Sequence, residues 1–524
     1  MKKQLRAHQV RAVKDLISVL ENKDRATFVS AIGTGKTITL QAVAERISKN
    51  TLVCLPSISL VDQVARSWFE QYTYMDAYAI CSDSTVGREY DDIFISGEML
   101  SRIGLKVLSD TSEITDVLRE RSEKTNDTPF VIFSTYQSSY KVAEAQKLVH
   151  GFSFDLLVAD EAHYLAAEHR SIRSGFSVLD NKLIKSDKRI FATATRKIVS
   201  THESEGSTER FFVGTMDDKE TFGPIAHEFG LRDAIEEGVL CDYKIMIVEI
   251  EGDWPEDAHK DPQIRLSMGI SAYKKMKETY GIKRTIAYLS NKRRARVFSE
   301  LVEDATFIVG EMKQVYREEK LKKLRDNGGV IANVRCLTEG IDIPSLDAVE
   351  FIDPRKSKVD IVQAVGRAIR KDEDNPDKIG YVIIPVLKEP DDEYYGEKGS
   401  FKIVWDVLSQ MAENDSAVET QLREAAEKKE PSRKNIIEVL GITEFQEVSM
   451  VSEELTKKIS IRAAYVNDPF LAFMERTDLY AEISQYDGDE EQFLHEQHQL
   501  YLLGGMSSFR ARLLDTRVPH WRTL

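Results

Sequence analysis

The chain has 524 residues, 42% of them hydrophobic and 30% charged, which excludes a disordered or membrane-embedded chain and leaves room for about three globular domains. Its net charge of −15 excludes a global basic field, so any nucleic-acid footprint must be a local groove. Cys54, Cys81, Cys241 and Cys336 are widely spaced; no zinc, iron–sulfur or disulfide framework is expected, and with no secretory leader and no run of ~20 apolar residues the reading is a cytoplasmic protein with reduced thiols and no membrane partner.

Apolar residues at Val10, Val13, Leu16, Ile17 and Leu20 predict a helix over 5–20. Gln9 lies at its start. It either reads an adenine edge with one donor and one acceptor or is an ordinary surface residue. A short apolar run at 26–29 then leads into Ser30-Ala31-Ile32-Gly33-Thr34-Gly35-Lys36-Thr37 and a helical pattern. Strand, glycine loop and helix in this order suit a phosphate-binding loop. Gly33 and Gly35 let backbone N–H groups converge on an anion, and the helix start adds its dipole. Lys36 can reach the outer phosphates, and Thr37 can ligate Mg²⁺. Such loops usually open on Gly where this chain has Ser30, a small residue read here as a tolerated variant. The alternative is a Gly-rich turn before an ordinary helix.

Apolar runs at 51–55, 129–133, 154–159 and 189–192 predict further buried parallel strands. Each is followed by polar residues: Ser57, the stretch Ser134 to Ser138, Asp160-Glu161-Ala162-His163, and Thr193-Ala194-Thr195. Strands alternating with helical patterns predict a doubly wound α/β sheet, with these tetrads gathered at its carboxyl edge. Residues 71–126 carry no clear pattern, and 214–223 reads as a linker. The α/β pattern then restarts, with strands expected at 285–289, 329–332, 348–352 and 380–384 and helices at 293–302 and 359–370. The charged run 317–325 reads as a solvated helix face. Beyond about residue 390 helical periods and charge dominate. The divisions expected are 1–220, 221–390 and 391–524, the last mainly helical.

An Asp-Glu pair after an apolar strand, downstream of a phosphate loop, points to nucleoside triphosphate hydrolysis. Asp160 would hold Mg²⁺ beside Thr37, and Glu161 would orient or deprotonate water. His163 has no second ligand at metal spacing. It is expected to hydrogen-bond to Thr193 or Thr195, or to the second domain, and the two threonines either relay a nucleotide-dependent shift or are plain strand-end residues. Gln363, Arg367 and Arg370 follow i, i+4, i+7 and share one helix face. Two guanidiniums there match the charge on a transferring γ-phosphoryl group, an arginine-finger arrangement worth ~10³ or more in rate. A basic face binding nucleic acid or Glu side chains is the other reading.

In order along the chain, Ala31 to Thr37, Asp160 to His163, Thr193 to Thr195, Leu337-Thr338-Glu339-Gly340-Ile341-Asp342 and Gln363 to Arg370 resemble the motif set of superfamily 2 helicases and translocases with a DEAH-type second motif. Arg335 to Pro344, Asp353 to Ser357, Val359 to Gln363 and the segment Phe229 to Leu240 resemble its type III restriction-enzyme (Res)-like group, which includes helicases with helicase-associated C-terminal domains. The resemblance implies two RecA-like domains with ATP and Mg²⁺ in the cleft between them. It places Gly340 and Asp342 against the nucleotide, and Ser57, Thr135, Gln137, Thr338 and Glu339 along a nucleic-acid track. Those polar side chains suit phosphate and sugar contacts more than base reading. The expected activity is an ATP-dependent nucleic-acid motor, on DNA in preference to RNA and largely independent of sequence. An RNA helicase, or a non-unwinding motor subunit of a restriction, defence or repair complex with protein partners, is the alternative. No nuclease or methyltransferase motif is visible.

Overall fold

The computed structural model describes residues 4–71, 75–81, 105–124, 127–166, 168–169, 176–195, 212–213, 216–250, 258, 261–310, 312, 314–334, 346–353, 358–372, 374–387, 402–426 and 436–442. All belong to one compact unit, Met1–Phe445. Thr338, Glu339, Gly340 and Asp342, and the C-terminal stretch from 443, lie outside the described residues.

In chain order the strands are β1 (Arg25–Ser30), β2 (Asn50–Leu55), β3 (Asp76–Ile80), β4 (Lys106–Leu108), β5 (Phe130–Thr135), β6 (Phe154–Asp160), β7 (Glu168–His169), β8 (Ser186–Thr193), β9 (Phe212–Val213) and β10 (Ile225–Phe229). They continue as β11 (Asp242–Ile250), β12 (Arg284–Tyr288), β13 (Ala305–Ile308), β14 (Gly329–Asn333), β15 (Ala348–Phe351), β16 (Ile379–Leu387) and β17 (Ile437–Ile442). Two parallel sheets result, ordered β10-β1-β8-β6-β2-β5-β3-β4 and β13-β14-β12-β15-β16-β11-β17, while β7 and β9 form a small antiparallel pair. Each large sheet has its own helices and core, which makes two tandem RecA-like lobes.

The first sheet is covered on both faces. Along β2, Leu52 and Cys54 enter one core while Val53 and Leu55 enter the other. This two-residue alternation explains why the buried strands read as continuous apolar runs. Polar strand ends were expected to be loops, but parallel pairing carries on through them: Thr135 pairs with Leu55, and Asp160 with Ala192. On the first helix (Ala7–Asn22) Val13, Leu16 and Leu20 are buried. Val10 of the same apolar series is 52% exposed.

The first lobe extends past residue 220. β10 adds a parallel strand to the edge of β1, and the stretch before it, expected as a linker, is packed down. Phe222 is fully buried, Thr27 N–H donates to the Pro224 carbonyl at 2.8 Å, and an Arg25 guanidinium N–H donates to the Thr221 carbonyl at 2.6 Å.

The second lobe likewise extends past 390. The helices Lys402–Asn414 and Ser416–Ala426 place Val404, Val407, Met411 and Val418 in its core, and β17 pairs with β11. Asp415 joins this helical pair to the start of the lobe. It accepts two hydrogen bonds from Arg232, at 3.0 and 2.7 Å, and one from the Tyr243 hydroxyl at 2.8 Å. No described helix is long and apolar enough to cross a membrane.

Candidate active site

The loop between β1 and the helix Lys36–Ile47 turns on two glycines with left-handed backbone, Gly33 (φ 83°) and Gly35 (φ 87°), a conformation side chains disfavour. Ser30 works inside the loop. Its hydroxyl is 2.6 Å from the Thr34 hydroxyl, which in turn donates to the Ala31 carbonyl at 2.6 Å. The loop apex is tied to the first helix: His8 Nε2 and Gln9 Nε2 both donate to the Thr34 carbonyl, at 2.9 and 3.1 Å. Gln9 Oε1 accepts the Arg6 N–H at 2.8 Å, and a Cβ on Gly35 would lie 2.3 Å from Gln9 Nε2. Gln9 therefore braces the loop. His8, which stacks on Phe229 with ring centroids 4.8 Å apart, does so too, and its part was not read from the sequence.

Asp160 and Glu161 sit at the carboxyl end of β6. Glu161 is the one non-glycine with positive φ among the described residues, at 52°, and strain of this kind concentrates at functional positions. The Asp160 carboxylate accepts the Glu161 N–H at 2.9 Å. Lys36 Nζ is 3.2 Å from Glu161 Oε1, and His163 Nδ1 is 3.4 Å from Glu161 Oε2. Burial and then the neighbouring Glu161 charge push the Asp160 pKa up. Burial would also raise Glu161, but the Lys36 ammonium and His163 outweigh it and hold that carboxyl below its ordinary range. Asp160, buried and with its pKa raised, lines the same cavity as Thr37; the two are hard-oxygen donors that fit a Mg²⁺ held by few protein ligands plus phosphate oxygens and water.

Of the partners open to His163, the structure selects Thr193, whose hydroxyl is 3.1 Å from Nδ1. Thr193 donates to the Thr195 carbonyl at 2.8 Å and accepts the Thr195 N–H at 3.2 Å. The acid pair and the end of β8 are thus one hydrogen-bonded unit.

The second lobe faces this loop through the helix Lys358–Ala368. A Cβ on Gly366 would lie 2.8 Å from Ile32 Cβ, and one on Gly33 would lie 3.4 Å from Arg370 Cγ. Gln363, Arg367 and Arg370 line one cavity of about 430 Å³ together with Gly33, Gly35, Lys36, Thr37, Asp160 and Glu161. Val239 and Leu240 form part of its wall. Leu240 is bridged to Arg370, and Lys378 Nζ donates to the Arg370 carbonyl at 2.6 Å. Burial lowers the Arg370 pKa, but a guanidinium stays charged at neutral pH.

The remaining candidates lie apart from this cavity at the carboxyl edge of the same sheet. Ser57 follows β2, with its hydroxyl 3.4 Å from the Leu60 N–H. Thr135 is buried with its hydroxyl bonded to Ser138, and Gln137 is exposed.

A phosphate loop and acid pair on one RecA-like lobe, met by an arginine face from a second, define a two-lobed P-loop nucleotide-binding protein. Residues 2–198 match the family model of the type III restriction enzyme res subunit, and residues 271–372 that of the helicase conserved C-terminal domain. The chain belongs to the Res-like group of superfamily 2 helicases.

Among its relatives is the probable helicase A859L of African swine fever virus (strain Badajoz 1971 Vero-adapted), 25% identical over 386 residues that cover 71% of this chain and 40% of that protein. The putative ATP-dependent helicase IRC3 of Saccharomyces cerevisiae is 24% identical over 240 residues, covering 42% of this chain and 32% of that one. The structure of the ATP-dependent Type ISP restriction-modification enzyme LlaBIII bound to DNA superposes with a TM-score of 0.69 and 25% identity, covering 98% of this chain and 36% of that one. The chain therefore spans well under half the length of these proteins.

Proposed function

We propose that the protein is an ATP-dependent motor that tracks along DNA, largely without regard to sequence. The carrying observation is that Arg367 and Arg370 of the second lobe line the same cavity as Lys36, Thr37, Asp160 and Glu161 of the first. Hydrolysis then requires both lobes, and lobe closure becomes linked to turnover. The backbone N–H groups of 33–37 and Lys36 bind the phosphates of ATP. Thr37 and Asp160 would hold Mg²⁺, which would neutralise charge on the outer phosphates. Glu161 orients the attacking water, and Arg367 and Arg370 stabilise the charge that develops on the transferred group. His163, Thr193 and Thr195 join this centre to the carboxyl edge of the sheet. Gln363 lines the cleft from the second lobe, and Gly340 and Asp342 are assigned there by motif position.

Ser57, Thr135, Gln137, Thr338 and Glu339 are assigned to the nucleic-acid track. The likeness to an enzyme solved with DNA supports DNA over RNA, and the acidic net charge of −15 restricts binding to that groove. We place the protein in the cytoplasm, where Cys54 and Cys241, both buried, stay reduced. The deciding experiment measures ATP hydrolysis with single-stranded DNA, duplex DNA and RNA at several salt concentrations. Stimulation by DNA, weakening as salt rises, is expected. Stimulation by RNA alone replaces this reading with an RNA helicase, and no stimulation by any polymer removes the motor.

A further inference from the structure

Tyr136 is a buried phenol, 5% exposed, in the turn that follows β5. Its hydroxyl donates to the backbone carbonyl of Asp160 at 2.6 Å. The N–H of that same peptide group, belonging to Glu161, donates to the Asp160 carboxylate at 2.9 Å. The Asp160–Glu161 peptide is thus gripped at both ends, and the next residue is Glu161, held at φ 52°. A non-glycine residue adopts that conformation only where its surroundings over-determine it. The grip from Tyr136 supplies part of that constraint.

The turn that carries Tyr136 is itself stiff. Thr135 donates to the Ser138 hydroxyl at 3.0 Å and accepts the Ser138 N–H at 3.2 Å. Ser139 donates to the Tyr136 carbonyl at 2.8 Å, and its hydroxyl lies 2.6 Å from that of Ser177. Gln137, the next residue, is exposed to solvent. A load on Gln137 is therefore transmitted through a braced turn, not absorbed by it.

We propose that Tyr136 is a positioning residue: it transmits occupancy of the Thr135–Ser138 turn to the peptide that sets Glu161, so that nucleic acid at the turn brings the water-orienting carboxylate into its hydrolytic position. This rests on the motor reading above. Tyr136 is not among the residues lining the cavity; it acts through the Asp160 carbonyl.

The test is Tyr136→Phe, which removes one oxygen and leaves the buried ring. Four quantities are measured on wild type and variant: thermal midpoint, affinity for a fluorescent single-stranded DNA, KM for ATP, and the ratio of DNA-saturated to DNA-free turnover. The expected result is a fall in that ratio of about fivefold to tenfold, the scale of one buried hydrogen bond, with DNA affinity and KM for ATP within about twofold of wild type. A merely structural role moves the thermal midpoint and both turnover values together and leaves the ratio alone; that outcome, or an unchanged ratio with unchanged stability, overturns the proposal. Should Tyr136→Phe unfold, Tyr136→Met, which also lacks the donor and fills the buried site, is read the same way. Wild-type protein unresponsive to every polymer removes the motor reading and this proposal with it, whereas a responsive wild type with an equally responsive variant removes this proposal alone.

Discussion

Lys36 and Glu161 form a part-buried ion pair, Nζ to Oε1 3.2 Å, between the phosphate loop and the residue assigned to the attacking water. The ammonium cannot serve the outer phosphates and hold Glu161 in this pairing equally well. On the proposed function, arrival of the triphosphate competes for Lys36 and releases the carboxylate to water. Lys36→Ala should reduce hydrolysis by about 10³-fold or more, the scale of losing a group aimed at transition-state charge. Glu161→Gln should bind ATP at least as tightly as wild type, because its competitor for Lys36 is gone, yet turn over as slowly. A nucleotide titration with single-turnover hydrolysis checks both; a Lys36→Ala protein with wild-type turnover sinks the site assignment.

Arg370 lies beside Gly33 across the cleft, with its backbone held by Leu240 and Lys378. Arg370→Ala should leave ATP affinity within a few-fold and cut hydrolysis by about 10³-fold, as expected of an arginine acting on the transition state. Arg370→Lys should not restore it, since a point charge does not replace the planar fork. Equal losses of binding and turnover would assign Arg370 to ground-state binding.

Gly366 is the contact point of the arginine helix on the phosphate loop, with room for no Cβ beside Ile32. Gly366→Ala should push the helix back from the loop and lower kcat by up to about 10²-fold, the sensitivity expected for a displacement near 1 Å. Ile32→Ala in the same chain removes two of the three close atoms, Cγ2 and Cδ1, but keeps Cβ, and should recover part of the loss. A double-mutant cycle on kcat checks the coupling, which is zero if the two residues act independently.

Glu350 is fully buried in β15 between Ala287 and Ile383, and neither carboxyl oxygen has a hydrogen-bond partner among the described residues. Burial raises its pKa well above the ordinary value, so the folded chain keeps a proton that the unfolded chain releases above about pH 4.3. The unfolded state then binds fewer protons, and stability falls as pH rises from that value towards the folded pKa, by about 1.4 kcal/mol per unit. Glu350→Gln carries no such proton. Its stability relative to wild type should grow from pH 5.5 to 7.5, read by urea unfolding; a constant difference would mean that Glu350 is ionised in the fold.

The candidate residues of the cleft were legible in one dimension because they serve local geometry. Gly33 and Gly35 are needed for backbone angles, Lys36 and Thr37 for a helix start, and Asp160-Glu161 for a strand end, so each motif carries its own context. Gln363 and Arg367 were legible for the same reason, as one face of one helix, whereas Arg370, expected on that face, lies past the helix end at Ala368, bridged to Leu240. Lobe limits were not. β10 and β17 are short edge strands whose membership is decided by backbone pairing with β1 and β11, and backbone pairing leaves little trace in side-chain type. β11 itself escaped notice because Asp242, Lys244 and Glu249 interrupt its apolar run while Tyr243, Ile245 and Ile247 enter the second core.

The sequence by itself determined the nucleotide-binding class, the parallel α/β pattern and the residue types proposed to perform hydrolysis, since these follow from glycine conformation, apolar periodicity and charge at fixed local spacing. Only the tertiary structure decided which groups meet: Arg370 with Gly33, His163 with Thr193, His8 and Gln9 with the Thr34 carbonyl, and Tyr136 with the Asp160 carbonyl. Those pairings join residues from 24 to more than 300 positions apart to a common centre. Most of them end on a backbone carbonyl or an absent Cβ, groups that every sequence contains and that acquire meaning only when the chain folds them against a partner.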